Sequence, residues 1–311
     1  MESQTASRTA LVTALMRARH SRLDPQPLFD DRWADVLVPP IVRERLREFA
    51  LAGMDASARA AALAEPASIV DDYLRGVAAY ANVILRTAYT EQALARAVSA
   101  GTSQYVLIGA GFDTYALRRP ASAGKLQVFE VDHPATQELK LQRMAANGVR
   151  RPDDTHYVAA DLAVQDLGAV LAEASFRTDQ PAFFALLGVT MYLTRASNDA
   201  LLRAVARCAP AGSELVFTYL DARTLDARVS AGPQASLRER VASVGEPFLS
   251  GWEPDELDAQ LRDAGLTLLE DLDGTALAAR CDPAGVNGLS STRSSHLARA
   301  CVGAPRASRR P

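Results

Sequence analysis

At 311 residues the chain has room for one large α/β domain with a cap or insertion, and 48% hydrophobic against 23% charged residues excludes disordered and fibrous classes. A formal net charge of −3 argues against a nucleic-acid partner, because phosphate binding needs a basic surface, and points to a small-molecule or protein substrate. Cys208, Cys281 and Cys301 are widely spaced and form no CxxC pair, so neither a zinc site nor a disulfide framework is expected. Met1 to Gln4 hold no basic-then-apolar leader, and the longest apolar stretch, around Pro181 to Leu193, is too short for a bilayer. The expectation is a soluble, cytoplasmic protein with no metal and no membrane partner.

From Ser7 to about Leu94, alanine, leucine and arginine recur at three- and four-residue spacing, broken by Pro25, Pro27, Pro39-Pro40 and Pro66. This predicts an N-terminal helical cap over 1–94. After Gly101 short β-like runs appear at Tyr105 to Ile108, Val128 to Val131, His156 to Ala159, Phe183 to Leu187 and Leu215 to Tyr219. Amphipathic stretches lie near Pro134 to Asn147, Gln165 to Ala174, Asn198 to Cys208 and Asp255 to Ala264, lengths that suit right-handed crossovers. Two late strands, Leu266 to Asp271 and His296 to Val302, complete the pattern. The alternation predicts a doubly wound, mostly parallel sheet in one domain spanning 1–311, with the core over 95–311. The connection over 221–251 is long enough to form a substrate lid, and Pro305 to Pro311 read as a frayed tail.

The first candidate site follows the first strand, in Ile108-Gly109-Ala110-Gly111-Phe112-Asp113-Thr114. Gly109 and Gly111 remove side chains so that a ligand can lie against the backbone at the strand's carboxyl end. Asp132, ending the second strand, stands where doubly wound folds place an acid against a ribose diol; it also suits a helix cap before His133 and Pro134, and the two roles are compatible. A dinucleotide fingerprint would need glycine or alanine where Thr114 stands, and the Asp113 carboxylate would repel a pyrophosphate. S-adenosylmethionine has no phosphate and carries a cationic amine and sulfonium, so this turn favours it over a nicotinamide cofactor. Asp113 is otherwise a helix cap. The methionine carboxylate needs a cation, for which Arg8 and Arg86 are candidates. Asp161 and Leu162, past the third strand, fall at the rim of an adenine pocket.

Those residues, together with Arg118, Phe129-Glu130-Val131-Asp132-His133-Pro134, Ala160-Asp161-Leu162 and Gly188-Val189-Thr190-Met191-Tyr192-Leu193, resemble the leucine carboxyl methyltransferase superfamily. The similarity runs from near Arg8, through Gly245-Glu246-Pro247-Phe248, to His296-Leu297-Ala298-Arg299-Ala300, and is strongest toward the bacterial branch that includes polyketide O-methyltransferases of the tetracenomycin type. The resemblance implies a class I methyltransferase fold, a seven-stranded sheet with a reversed final hairpin. It implies cofactor contacts at Arg86, Gly109, Asp132, Asp161 and Leu162, and at Arg8 through a looser N-terminal match. Where the family often has a glutamate after the fourth strand, this chain has Leu187, which removes a carboxylate contact while leaving Leu187 against the cofactor.

The implied activity is O-methylation of a small molecule such as a polyketide or other secondary metabolite. A carboxylate acceptor is already ionised near neutral pH and needs no base; a phenol, enol or alcohol would use one, with His133, His20 and Tyr192 as candidates. Phe248 and Trp252, near the expected lid, could press on an aromatic substrate. The alternatives are a nicotinamide-dependent oxidoreductase and a cofactor-binding protein without catalysis.

Overall fold

In the computed structural model, which describes residues 7–225 and 247–303, the chain before the first strand folds into α1 (Arg8–Leu23), α2 (Trp33–Leu37), α3 (Pro40–Ala52), α4 (Ala56–Ala64), α5 (Ile69–Gly76) and α6 (Tyr80–Ser99). The prolines punctuate this run as expected. Pro25 and Pro27 fall between α1 and α2, Pro40 opens α3, and Pro66 separates α4 from α5, since a ring nitrogen without a hydrogen is tolerated only at a helix start. α6 continues past the predicted boundary at Leu94 and delivers the chain to the sheet.

Strands and helices then alternate: β1 (Gln104–Ile108), α7 (Tyr115–Arg118), β2 (Gln127–Asp132), α8 (Pro134–Ala146), β3 (Thr155–Ala159), α9 (Leu167–Glu173), β4 (Ala182–Leu186), α10 (Arg195–Cys208), β5 (Glu214–Leu220), α11 (Pro254–Asp263), β6 (Leu266–Asp273), α12 (Gly274–Cys281) and β7 (Ser295–Val302). The sheet order is β3-β2-β1-β4-β5-β7-β6, with β1 to β5 parallel and β7 antiparallel to both neighbours. Every predicted strand is present. α12 has no counterpart among the predicted elements; Leu277 and Cys281 seat it in the core on the same side of the sheet as the buried face of α6.

Side chains alternate between two apolar layers because strand residues project to opposite faces. Tyr105, Leu107, Phe183 and Ala185 join the layer under α1, α6 and α8, whereas Val106, Ile108, Phe184 and Leu186 join the layer under α9, α10 and α11. Both faces are covered, so β1 and β4 are buried along their whole length, as parallel strands require. Because β1 lies between β2 and β4, the chain leaves it toward opposite sides, and a crevice opens at the carboxyl ends of these strands. Most of the predicted lid lies outside the described residues, as do the predicted tail and Met1 to Gln4. Among the described residues no helix is long and apolar enough to cross a membrane, and no cluster of candidate metal ligands occurs.

Candidate active site

The turn after β1 is anchored to β2: the N–H groups of Gly109 and Ala110 both donate to the Val131 carbonyl, at 2.8 and 3.1 Å. Gly109 has φ +71°, and a Cβ there would overlap the Val189 side chain, so the turn requires glycine for conformation and for space. Asp132 closes the structure. One carboxylate oxygen accepts the Gly111 N–H and the other the His133 N–H at 2.6 Å. Burial drives the Asp132 pKa above the ordinary carboxylate range, and those N–H groups, with Lys140 behind them, pull it only part of the way back. Each oxygen keeps a lone pair for a further donor such as a ribose hydroxyl.

Thr114, where a dinucleotide turn would place glycine, is fully buried and belongs to a charge network under the turn. Its hydroxyl donates to Asp31 at 2.5 Å and accepts from Arg118 Nε at 2.9 Å. Arg17 Nε binds the other Asp31 oxygen at 2.8 Å while its Nη2 donates to the Phe112 carbonyl at 2.6 Å, and Arg118 pairs with Glu91. Burial alone would raise the Asp31 pKa, yet Arg17, Arg118 and the Thr114 hydroxyl hold it below the usual range. On the other side Lys140 pairs with Glu130 and donates to the Asp113 carbonyl at 2.5 Å.

A cavity of about 340 Å³ opens over this turn, the size of a pocket for a nucleoside-type ligand. Its wall includes Gly109, Gly111, Asp113, Asp132, His133, Asp161, Leu162, Leu187 and Arg86, so the sequence-predicted cofactor residues converge with one exception. Arg8 is exposed and lines no part of it; α1 instead presents Thr9, Thr13 and Arg17, one face at four-residue spacing. That spacing is the sequence signal for which residues of α1 line the cavity. Asp113 accepts the Tyr115 N–H at 2.7 Å and Asp161 the Ala163 N–H at 3.0 Å, so both also carry the turn-capping roles that their positions allow.

A second cavity, about 120 Å³, adjoins the first and shares Thr9, Thr13, Arg86, Gly188 and Tyr192 with it. Beyond these it is walled by Ala78, Ala79 and Asn82 of α6 and its approach, by Thr218 on β5, by Phe248, and by Ser291, Thr292 and Ser295 ahead of and at the start of β7. Gly188, with φ +71°, makes room for Arg86: a Cβ there would overlap the guanidinium. No ion pair or hydrogen bond joins that guanidinium to another described residue. Burial, and the like charge of Arg17, push the Arg86 pKa down to about 10, which leaves a cation at neutral pH.

The base candidates fare differently. His20 is fully buried away from both cavities, with Nδ1 on Asp24 at 2.7 Å and Nε2 accepting the Leu28 N–H at 2.8 Å; it has no free nitrogen and serves the packing of α1. His133 lines the cofactor cavity alone, and its Nδ1 accepts the Ala135 N–H at 3.3 Å as the cap of α8. Tyr192 stands at the junction of the two cavities, its ring 5.6 Å from that of Phe248. Trp252 is fully buried between Phe217 and Tyr219, outside the cavities, so of the predicted aromatic pair only Phe248 reaches the site.

A sheet of this order with β7 reversed, and a crevice that joins a glycine turn, a ribose-type acid and a cation without an anionic partner among the described residues, define a class I S-adenosylmethionine-dependent methyltransferase. The chain belongs to the leucine carboxyl methyltransferase family, whose sequence pattern matches residues 10–206. It is 31% identical over 277 residues, 88% of this chain and 90% of the other, to YktD of Bacillus subtilis (strain 168), named as an S-adenosyl-L-methionine-dependent methyltransferase. A similarly named Parafrankia sp. (strain EAN1pec) protein is 35% identical over 69% of this chain and 63% of its own length. The fold is similar to a DUF574 family protein from Streptomyces avermitilis MA-4680, with TM-score 0.51 and 19% identity over 83% of this chain and 96% of that one. S-adenosylmethionine is therefore the cofactor, and the nicotinamide alternative falls with the Thr114 network that replaces the third glycine.

The residues fit that cofactor. Asp132→Ala is expected to weaken S-adenosylmethionine binding at least about tenfold, the effect of losing a charged hydrogen-bond acceptor. Calorimetric titration checks this; unchanged affinity would mean that the ribose lies elsewhere.

Proposed function

We propose that the chain transfers the methyl group of S-adenosylmethionine to a carboxylate oxygen of a small-molecule acceptor seated in the 120 Å³ cavity beside Arg86. The observation that carries this reading is the chemistry of the wall. Among the described residues its ionisable side chains are Arg86, Tyr192 and Tyr219; none is a carboxylate, histidine, lysine or cysteine, and the Tyr219 hydroxyl is committed to Asp271 at 2.8 Å. A wall without a strong base suits an acceptor that arrives ionised.

When bound, the sulfonium supplies an activated methyl group. The chain's own residues position and exclude. Arg86 would hold the methionine carboxylate, and Asp132 the ribose hydroxyls. Asp161 and Leu162 would border the adenine. Leu187, where the family often carries glutamate, offers apolar contact only. α1, through Thr9, Ala10 and Thr13, covers the cavity and keeps water from the reacting centre. A hydroxyl acceptor is the second reading, favoured by Tyr192 at the junction, which as a phenolate would then take the proton. A bacterial secondary metabolite such as a polyketide is the acceptor class the branch resemblance suggests, and three buried free cysteines suit a reducing cytoplasm.

Incubation with methyl-labelled donor and matched panels of carboxylic acids and phenols tests the choice. Base-labile methyl esters with accumulation of S-adenosylhomocysteine are expected. Stable ethers from the phenol panel, with no ester, would move the reading to the hydroxyl route.

A further inference from the structure

The wall of the acceptor cavity contains an anion-binding arrangement that the reading above does not use. Ala78, Ala79 and Asn82 line it, so the N-terminal end of the 20-residue α6 faces the cavity. Ala79 stands at the cap position and no side chain caps this end. The Tyr80 N–H is taken by the Val77 carbonyl at 2.8 Å and the Val83 N–H by that of Ala79 at 3.0 Å, which leaves those of Ala81 and Asn82 without an acceptor among the described residues, and the positive end of the helix dipole lies at the wall. The Asn82 carboxamide forms no hydrogen bond with a described residue. Four residues on, along the same helix face, Arg86, without an ion-pair partner among the described residues, lines the same space.

We propose that Asn82, with the first turn of α6, is the specificity-determining group that grips and orients the acceptor's carboxylate. This rests on the carboxylate reading. Arg86 reaches both cavities and is engaged by the methionine carboxylate, whereas Asn82 borders the acceptor cavity alone. The Asn82 amide donates to one acceptor oxygen and the positive end of the α6 dipole adds to its hold. The other oxygen is left to attack the methyl carbon: the new O–C bond forms as the S–C bond breaks, its electron pair goes to sulfur, and no proton moves. A neutral isostere of the same shape gains the hydrogen bond without the charge terms, so the subsite selects anions.

The test uses the full chain saturated with S-adenosylhomocysteine, titrated with benzoate and hexanoate, and with benzamide as the neutral isostere of benzoate. Wild type is expected to bind at least one of the two carboxylates, and benzoate at least about tenfold more tightly than benzamide. Asn82→Ala should weaken that carboxylate about tenfold, the scale of one hydrogen bond to a charged group. Asn82→Asp should abolish its binding; an acid in a helix's first turn favours the helix, so this variant folds, and its melting temperature verifies that. Affinity for S-adenosylhomocysteine should stay within about twofold in both variants, since Asn82 does not touch that cavity. Equal carboxylate affinity in Asn82→Ala and wild type overturns the proposal, as does wild type that binds S-adenosylhomocysteine but neither carboxylate. Failure to bind S-adenosylhomocysteine at all would instead sink the cofactor geometry, and this inference with it.

Discussion

Arg86→Gln is expected to weaken S-adenosylmethionine binding about a hundredfold while making the cofactor-free protein more stable by about 1 kcal/mol. The opposite signs follow from one fact: the guanidinium is buried without an anionic partner among the described residues. A desolvated, unpaired cation costs folding free energy. Its folded pKa of about 10 lies below the ordinary arginine value, so that cost is fully present at neutral pH and lifts only as pH rises past about 10. The ligand's carboxylate supplies the missing charge, and the pair then forms where water screens it little. Titration calorimetry and thermal unfolding of the cofactor-free variant read the two effects separately. A structural arginine would lower the melting temperature when replaced; that result, or unchanged affinity, would show that Arg86 serves packing rather than the cofactor.

The cofactor half of the site was legible because its chemistry lies in contiguous strings at strand ends. Asp132 ends β2, Gly109, Gly111, Asp113, Asp161 and Leu162 each follow a strand within a few residues, and the doubly wound topology brings the carboxyl ends of β1, β2 and β3 together. Arg8 lies outside the cavity because a contact from a helix depends on which face points inward: a shift of one position rotates a side chain by about 100°, and Thr9, Thr13 and Arg17 take the inner face. The half proposed for the acceptor was not legible. Asn82, Thr218, Ser291 and Ser295 come from α6, β5 and the approach to β7, and no local spacing records their meeting. His20 attracted a catalytic reading because its buried partner Asp24 and the Leu28 N–H are visible only in three dimensions.

For the fold, periodicity located β1 and β4 because parallel strands covered on both faces are continuous apolar runs between turns. It overlooked α12, whose Thr275, Ala276, Ala278, Ala279 and Arg280 leave only Leu277 and Cys281 to mark a buried stripe, too short a pattern to be called a helix.

Thr114 carried the argument against a dinucleotide, and the network around it sets the second large effect. Asp31→Ala is expected to destabilise the protein by about 3–5 kcal/mol, the range for removing one member of a buried ion network. Asp31 is wholly buried and bonded to Arg17 and Thr114, with Arg118 at 3.8 Å; its loss leaves the Arg17 cation without a carboxylate, whereas Arg118 keeps Glu91. The Asp31 pKa is held below its unfolded value, so its contribution is present above the ordinary carboxylate pKa and is lost as pH falls through the depressed folded value. Wild type should therefore lose this increment in acid, and Asp31→Ala should show a flatter acid limb in denaturant-derived stability. Function should follow, because Arg17 holds the Phe112 carbonyl and lines the cofactor cavity, so S-adenosylmethionine affinity should also fall in the variant while it is still folded. A stability loss under about 1 kcal/mol would mean that the network relaxes around the gap, and that Thr114 is held by its neighbours' packing rather than by charge.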